Sequence, residues 1–268
     1  MPDLIGIDVG FSATRRTTGV AALGHGGLPL THLHRNQLEQ RLREPNVTFM
    51  AAAVDGPVLA ADDDQLRACE HLFCFGLFGR RCRPGLSHRG AGIQFRTAGS
   101  EVAGQVFAHT SNANLCVAFL RVLPCNVVEA FPNAFLAVCL PEEVHAKTPR
   151  LRRGQRSDWL YERWVEQGTL KEVLAAIDLA WPEGAAQCFC GVTNHDERAA
   201  VICLLTAAVV ASGSYVAVGE QVGGYFFLPP WKLWEAWAKI ELDLQRCRLE
   251  GVEVWIDGRL YQPNEELP

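Results

Sequence analysis

The sequence predicts an α/β fold: a mixed sheet whose first three strands are antiparallel and whose later strands are parallel, flanked by helices. Three apolar runs near the start are joined by loops alone, whereas the later apolar runs are separated by segments with helical spacing. With 268 residues, 49% of them hydrophobic, the chain can bury a large core.

Residues 3–9 and 17–23 read as two strands joined by a loop, and 29–34 as a weaker third. The stretch NQLEQRLR at 36–43 has helical charge patterning. The run VTFMAAAV at 47–54 is continuously apolar and stops at Asp55-Gly56-Pro57, which is the pattern of a buried strand ending in a turn. Leu66, Cys69, Leu72 and Phe73 set a helix over 62–77, and 80–92 is a loop rich in Gly, Arg and Pro. A long helix over 100–123 leads to a short strand at 125–128 ending at Glu129, and AFPNAFLAVCL then turns into a short helix. The most basic segment, 145–164, runs into a helix, and 194–212 is an apolar helix with polar residues only at its beginning. GYFFLPP at 224–230 is a strand stopped by two prolines; a helix at 231–248 and a hairpin at 252–263, turning at Asp257-Gly258, follow. One domain over 1–268 is expected, with helical insertions and a C-terminal extension of helix plus hairpin.

Composition narrows the function. A net charge of −5 argues against a uniformly basic surface and leaves room for a local basic patch. No stretch of about 18 uncharged apolar residues is present and the first residues lack a charged-then-apolar pattern, so a cytoplasmic protein without a membrane segment is expected. Of the ten cysteines, Cys69, Cys74, Cys116, Cys139 and Cys203 sit in apolar patterned segments as small hydrophobes, and disulfides are not expected. Cys188-Phe-Cys190 followed by His195 lacks zinc-site spacing and a second cysteine pair. The glycines near Asp8 form neither a dinucleotide-binding fingerprint nor a P-loop.

Four acids fall at the ends of apolar elements. Asp8, Asp55 and Glu129 close strands, and Asp196 opens the helix at 194–212. Carboxyl ends of neighbouring parallel strands share one edge of a sheet, so these residues can converge. Converging carboxylates stay ionised only beside a cation, and hard oxygen ligands suit Mg²⁺ or Mn²⁺. Two such ions activate water and stabilise the leaving oxygen in phosphodiester hydrolysis. Each acid alone also has an ordinary role: a turn at Asp55, or a cap at Thr193-x-x-Asp196 or Asn194-x-x-Glu197. Lys147, Arg150, Arg152, Arg153 and Arg156, with Trp159 and Tyr161 behind them, suit contact with a nucleic acid or another phosphodiester, unless they are only a solvated face. Arg80, Arg81, Arg83, Arg89 and Arg96 form a second patch, on a loop suited to closing over an anion.

The order of elements is that of the ribonuclease H-like fold and of each half of the actin-like ATPases. The motifs GIDVG, VDGPV (54–58), RACE (67–70), VVEAFPNAFL (127–136), AKTPRLRRGQR (146–156), HDERAAVICLLTA (195–207) and GYFFLPP stand in the order found in the domain of unknown function 429 family, which the chain resembles over nearly its whole length. The resemblance implies a ribonuclease H-like nuclease with Asp8, Asp55 and Glu129 at the acidic positions and Lys147 and Arg156 in the basic segment. The family's helix aspartate falls here at Ala199, so either Asp196, three residues earlier, replaces it or the last metal ligand is lost. Two alternatives stand beside the nuclease: an actin-like ATP-binding phosphotransferase, whose second glycine loop is missing apart from Gly223-Gly224, and a non-catalytic binding module.

Overall fold

The computed structural model describes residues 3–10, 12, 15–24, 27–43, 48–59, 65–83, 85–110, 127–151 and 154–262. The strands are β1 (Leu4–Asp8), β2 (Thr18–Leu23), β3 (Leu30–Leu33), β4 (Ala51–Asp55), β5 (Val127–Ala130), β6 (Val216–Glu220), β7 (Gly224–Leu228), β8 (Glu253–Ile256) and β9 (Arg259–Leu260). The helices are α1 (Leu38–Arg43), α2 (Ala68–Cys74), α3 (Gly76–Arg81), α4 (Ala91–Phe107), α5 (Pro132–Ala137), α6 (Glu142–Ala146), α7 (Gln155–Gln167), α8 (Thr169–Ala176), α9 (Ala185–Cys190), α10 (His195–Ser212) and α11 (Ala236–Arg246).

The strands form one mixed sheet in the order β3-β2-β1-β4-β5-β7-β6-β8-β9. The first three are antiparallel, and β4, β5 and β7 run parallel to β1, as the sequence predicts. Beyond β7 the sheet turns antiparallel again, because β6 is the first arm of a tight hairpin with β7, and β8 and β9 are added to it as a second hairpin. The strand β6 is absent from the sequence prediction. It is only five residues long, follows a helix after a three-residue gap, and its buried Val216, Ala217 and Val218 give no polar alternation to mark it.

Helix α10 is the centre of the packing. Every residue from Ala199 to Val210 is buried, so the helix is apolar all round and lies inside the protein rather than on it. It packs on β1, β2 and β4, with α5 and α7 beside it, while α2 and α4 lie against the other side of the sheet. Two glycines allow the close approach. A Cβ at Gly6 of β1 would collide with the backbone N of Leu204 and the carbonyl of Ala200, and one at Gly19 of β2 would collide with the carbonyl of Asp196.

Other boundaries moved for local reasons. Helix α4 begins at Ala91 instead of residue 100, since Gly90 with φ 59° supplies the turn before it. The rest of the predicted helix, up to residue 123, includes residues 111–123, outside the described residues. Strand β5 spans Val127–Ala130 rather than 125–128, which places Glu129 inside the strand. Among the described residues no helix is long and apolar enough to cross a membrane.

The seating of α10 is directly testable. Gly6→Ala forces the helix backbone away from β1, and the expected loss of stability is about 1–3 kcal/mol. Urea unfolding should show a lower midpoint than wild type, and an unchanged midpoint would remove the close approach from the argument.

Candidate functional site

Strands β1 and β4 run parallel with Asp8 opposite Asp55, each the last residue of its strand. Side chains alternate along a strand, so Asp8 shares the face of Gly6, the face against α10. Both residues are half-buried at their strand ends, and each carboxyl group acts on the other. Burial, then the charge of Asp55, holds Asp8 well above the usual carboxylate range. Burial, then the charge of Glu129, lifts Asp55 to about 7. With no cation at hand, two carboxylates in this position keep a proton between them.

The structure changes the place assigned to Glu129. Its ladder partner on β4 is Val54, one residue short of Asp55, and its partner on β7 is Phe226. A shift of one residue along a strand reverses the face, so Glu129 points to the side opposite the aspartate pair. There it is 2% exposed and meets Arg67, whose Nη1 and Nη2 donate to its two oxygens at 2.6 and 2.7 Å. The same guanidinium donates to Glu70 at 3.1 Å and to the Gly223 carbonyl at 3.1 Å, and lies 5.5 Å from the Phe226 ring centroid. Burial raises the Glu129 pKa and Arg67 opposes the rise. The RACE motif is thereby explained: Arg67 and Glu70 are its ends, and Arg67 is the counter-ion that Glu129 was expected to find in a metal. Gly223-Gly224 closes the β6–β7 hairpin, with Gly223 accepting from Arg67, and so serves as a turn.

At the start of α10, His195 and Ala199 both line the cavity above the aspartates, four residues apart on one helix face. Asp196 is not among the residues that line it, although its charge acts on Asp8. Its pKa is raised by burial, with His195 and His32 opposing. The residue one turn before Ala199 on the cavity side is therefore His195. Its Nδ1 lies 3.1 Å from Asp158 Oδ2, a hydrogen bond that raises the imidazole pKa. Arg198 anchors Asp158 on the other oxygen, at 3.3 Å. Asn194 caps the helix by accepting from the Glu197 N–H at 3.1 Å, one of the two capping arrangements foreseen.

The cavity measures about 690 Å³ and is lined by the acids, by Arg83 and Arg89 of the Gly/Arg loop, and by Phe95, Phe131 and Phe226. The loop patch thus contributes cations here, and among the described residues the basic segment contributes Gly154 and Ser157. Lys147 is exposed just after α6 and lies off the lining, and Arg156 lines a different cavity. Arg152 and Arg153 lie outside the described residues. Among the described residues no group of three or more His, Cys, Asp or Glu side chains is placed to hold a metal ion together. The pair with the right chemistry for a hard cation is Asp8 and Asp55. The described cysteines, including Cys188 and Cys190, are free. Comparison of the chain with protein-family models, curated proteins and solved structures gives no match.

Arg67, Asp158 and His195 are the site residues that sequence reasoning passed over or gave another role. Arg67 is reached from Glu129 across 62 positions, and Asp158 from His195 across 37. Only the RACE motif hinted at the first.

Two measurements follow from these charges. Glu129→Gln leaves the buried Arg67 with Glu70 as its one carboxylate partner, and the expected loss is about 3 kcal/mol, the low end for breaking a buried pair; chemical denaturation reads it. The aspartate pair has folded-state pKa values raised above the unfolded value of about 3.9, so its contribution to stability is fully present below that value. It is lost as pH rises towards about 7, the Asp55 value. The urea midpoint of wild type relative to Asp55→Asn should fall over that window, and a flat difference would contradict the shared proton.

Proposed function

We propose that the chain is a nuclease-like hydrolase of the ribonuclease H-like fold that acts on phosphodiester bonds with one Mg²⁺ or Mn²⁺ held by Asp8 and Asp55. The observation that carries this reading is the in-register aspartate pair at the floor of a cavity that also presents Arg83 and Arg89. The strand order, with three antiparallel strands and then β4 and β5 parallel beside β1, supports the same reading. So does the resemblance to the domain of unknown function 429 family.

The donor set fits one ion better than two. Mg²⁺ is commonly bound through one or two carboxylates, with waters and substrate phosphate completing its shell. Two neighbouring half-buried carboxylates, each raised in pKa by burial and like charge, meet that requirement. Glu129 is held by Arg67, Ala199 supplies no oxygen, and Asp196 lies off the lining, so a second ion lacks ligands among the described residues. When bound, the cation supplies Lewis-acid polarisation of a phosphoryl oxygen.

The chain's own groups supply the rest. Arg83 and Arg89 hold substrate phosphate by charge-assisted hydrogen bonds. Phe95, Phe131 and Phe226 give the cavity an apolar wall against which a base or sugar can rest. His195, fixed through Nδ1 by Asp158, keeps its other nitrogen for a proton on the reacting phosphate or its leaving oxygen. A binding module without hydrolysis is the second reading, favoured by the methyl group of Ala199 where the family carries an aspartate.

Incubation of single-stranded DNA and RNA with the protein should give cleavage that requires Mn²⁺ or Mg²⁺ and falls to background in Asp8→Asn. Arg89→Gln should weaken substrate binding by about tenfold, the effect of losing one charge-assisted hydrogen bond. Cleavage that persists in Asp8→Asn would overturn the assignment of the site. Absence of cleavage together with Mn²⁺ binding that depends on Asp8 and Asp55 would favour the binding module.

A further inference from the structure

A second cavity, of about 190 Å³, is lined by Arg80, Arg81, His145, Thr148 and Arg156, none of which touches the acid cavity. Its volume equals about six liquid waters at ~30 Å³ each. That is below the range of about 300–1,000 Å³ in which organic ligands bind, so its occupant is the size of a small ion with some water.

The basic groups are locked in place with donors to spare. Arg81 is 9% exposed, lies 4.2 Å from the Trp237 ring centroid and donates from Nη2 to Glu142 at 2.7 Å. Arg156 donates from Nη1 to the Arg81 carbonyl at 3.0 Å. Yet Arg81 Nη1 and Arg156 Nε are buried with no hydrogen-bond partner among the described residues. A buried donor on a charged group left without a partner carries a large desolvation penalty. His145 adds no charge. Its Nε2 faces the Ala137 carbonyl at 3.0 Å, and burial, with Arg81 and Arg156 close by, holds its pKa down to about 4.

The charge around the cavity is also unbalanced. Three guanidinium groups line the cavity; Arg81 is paired with Glu142, which is 62% exposed, and the buried Glu241 accepts from the Leu77 N–H at its edge, so cations still outnumber carboxylates. Burial, then the nearby charge of Arg83, lowers the pKa of Arg156. Planar guanidinium groups with adjacent free N–H donors match the oxygens of a tetrahedral anion.

We propose that this cavity is an oxyanion site that takes a phosphate group, gripped by Arg81 and Arg156 and completed by Arg80 and the Thr148 hydroxyl. It is independent of the hydrolase reading, because it uses none of that site's residues. The phosphate arrives either as free inorganic phosphate or as the terminal monoester of a nucleic-acid strand; the chemistry of recognition is the same.

The test is calorimetric titration of the full chain with inorganic phosphate at fixed ionic strength, with chloride as the control, alongside thermal unfolding. Wild type should bind phosphate saturably and gain melting temperature with it. Arg156→Gln should weaken binding by about tenfold or more. Arg80→Gln, at an exposed position, should weaken it less and serves if Arg156→Gln does not fold. Lys171→Gln, at an exposed position that lines neither cavity, should leave phosphate binding unchanged. Competition by a 5′-phosphorylated but not an unphosphorylated oligonucleotide would assign the strand terminus as the source, and binding of inorganic phosphate without such competition would assign the free anion. No saturable binding beyond the chloride control would overturn the proposal, as would binding that Arg89→Gln abolishes and neither Arg156→Gln nor Arg80→Gln affects.

Discussion

The site depends on how closely α10 can lie on the sheet. A helix buried on all sides brings no polar face to the surface, so its position is set by shape, and Gly6 and Gly19 are the two points where helix and strand backbones meet without side chains between them. That contact fixes the first turn of the helix above the ends of β1 and β4. His195 and Ala199 then hang over Asp8 and Asp55, and the aspartates lose solvent on the side the helix covers. Burial, the main cause of their raised pKa values, is thus a consequence of two glycines in strands that carry no chemistry of their own.

Charge is divided between the two faces of the sheet. On the α10 side the aspartates face each other, with Asp196 adding repulsion on Asp8 and Glu129 on Asp55 and His195 opposing it, a state that a divalent cation would relieve. On the opposite side Glu129 has a dedicated counter-ion in Arg67, itself fixed by Glu70 and a backbone carbonyl. A guanidinium with two hydrogen bonds to one carboxylate resists exchange for a metal, because removing either partner strands a buried charge. Three acids that look alike in sequence therefore have two different fates, and the pleat of β5 decides between them.

What was legible in the sequence follows from the range of each interaction. Asp8 and Asp55 could be placed because each ends an uninterrupted apolar run, and a buried parallel strand has few other ways to stop. The α10 helix could be placed because its apolar stretch is too long for a strand. Glu129 was expected to close its strand as Asp55 does, but Ala130 is the residue in register with Asp55, and since faces alternate at every residue that one-residue offset puts Glu129 on the other face. Arg67, Asp158 and the cavity of Arg81 and Arg156 were out of reach for another reason. Their partners lie 62, 37 and 75 positions away, and no local pattern encodes a contact made by folding.

Ala199 shows how one side chain limits the chemistry available. It sits at the cavity wall four residues after His195, where a carboxylate would face the aspartate pair from the helix side. Its methyl group leaves open volume there instead. With Asp196 outside the lining, the helix offers the cavity an imidazole and space rather than a third oxygen. A cation at Asp8 and Asp55 would then keep most of its coordination positions for water and for the substrate's own phosphate oxygens, so affinity for the metal and for the substrate would be linked. The arginines of the Gly/Arg loop would carry more of the binding under those conditions, since on the proposed reading they would hold the phosphate that completes the coordination shell.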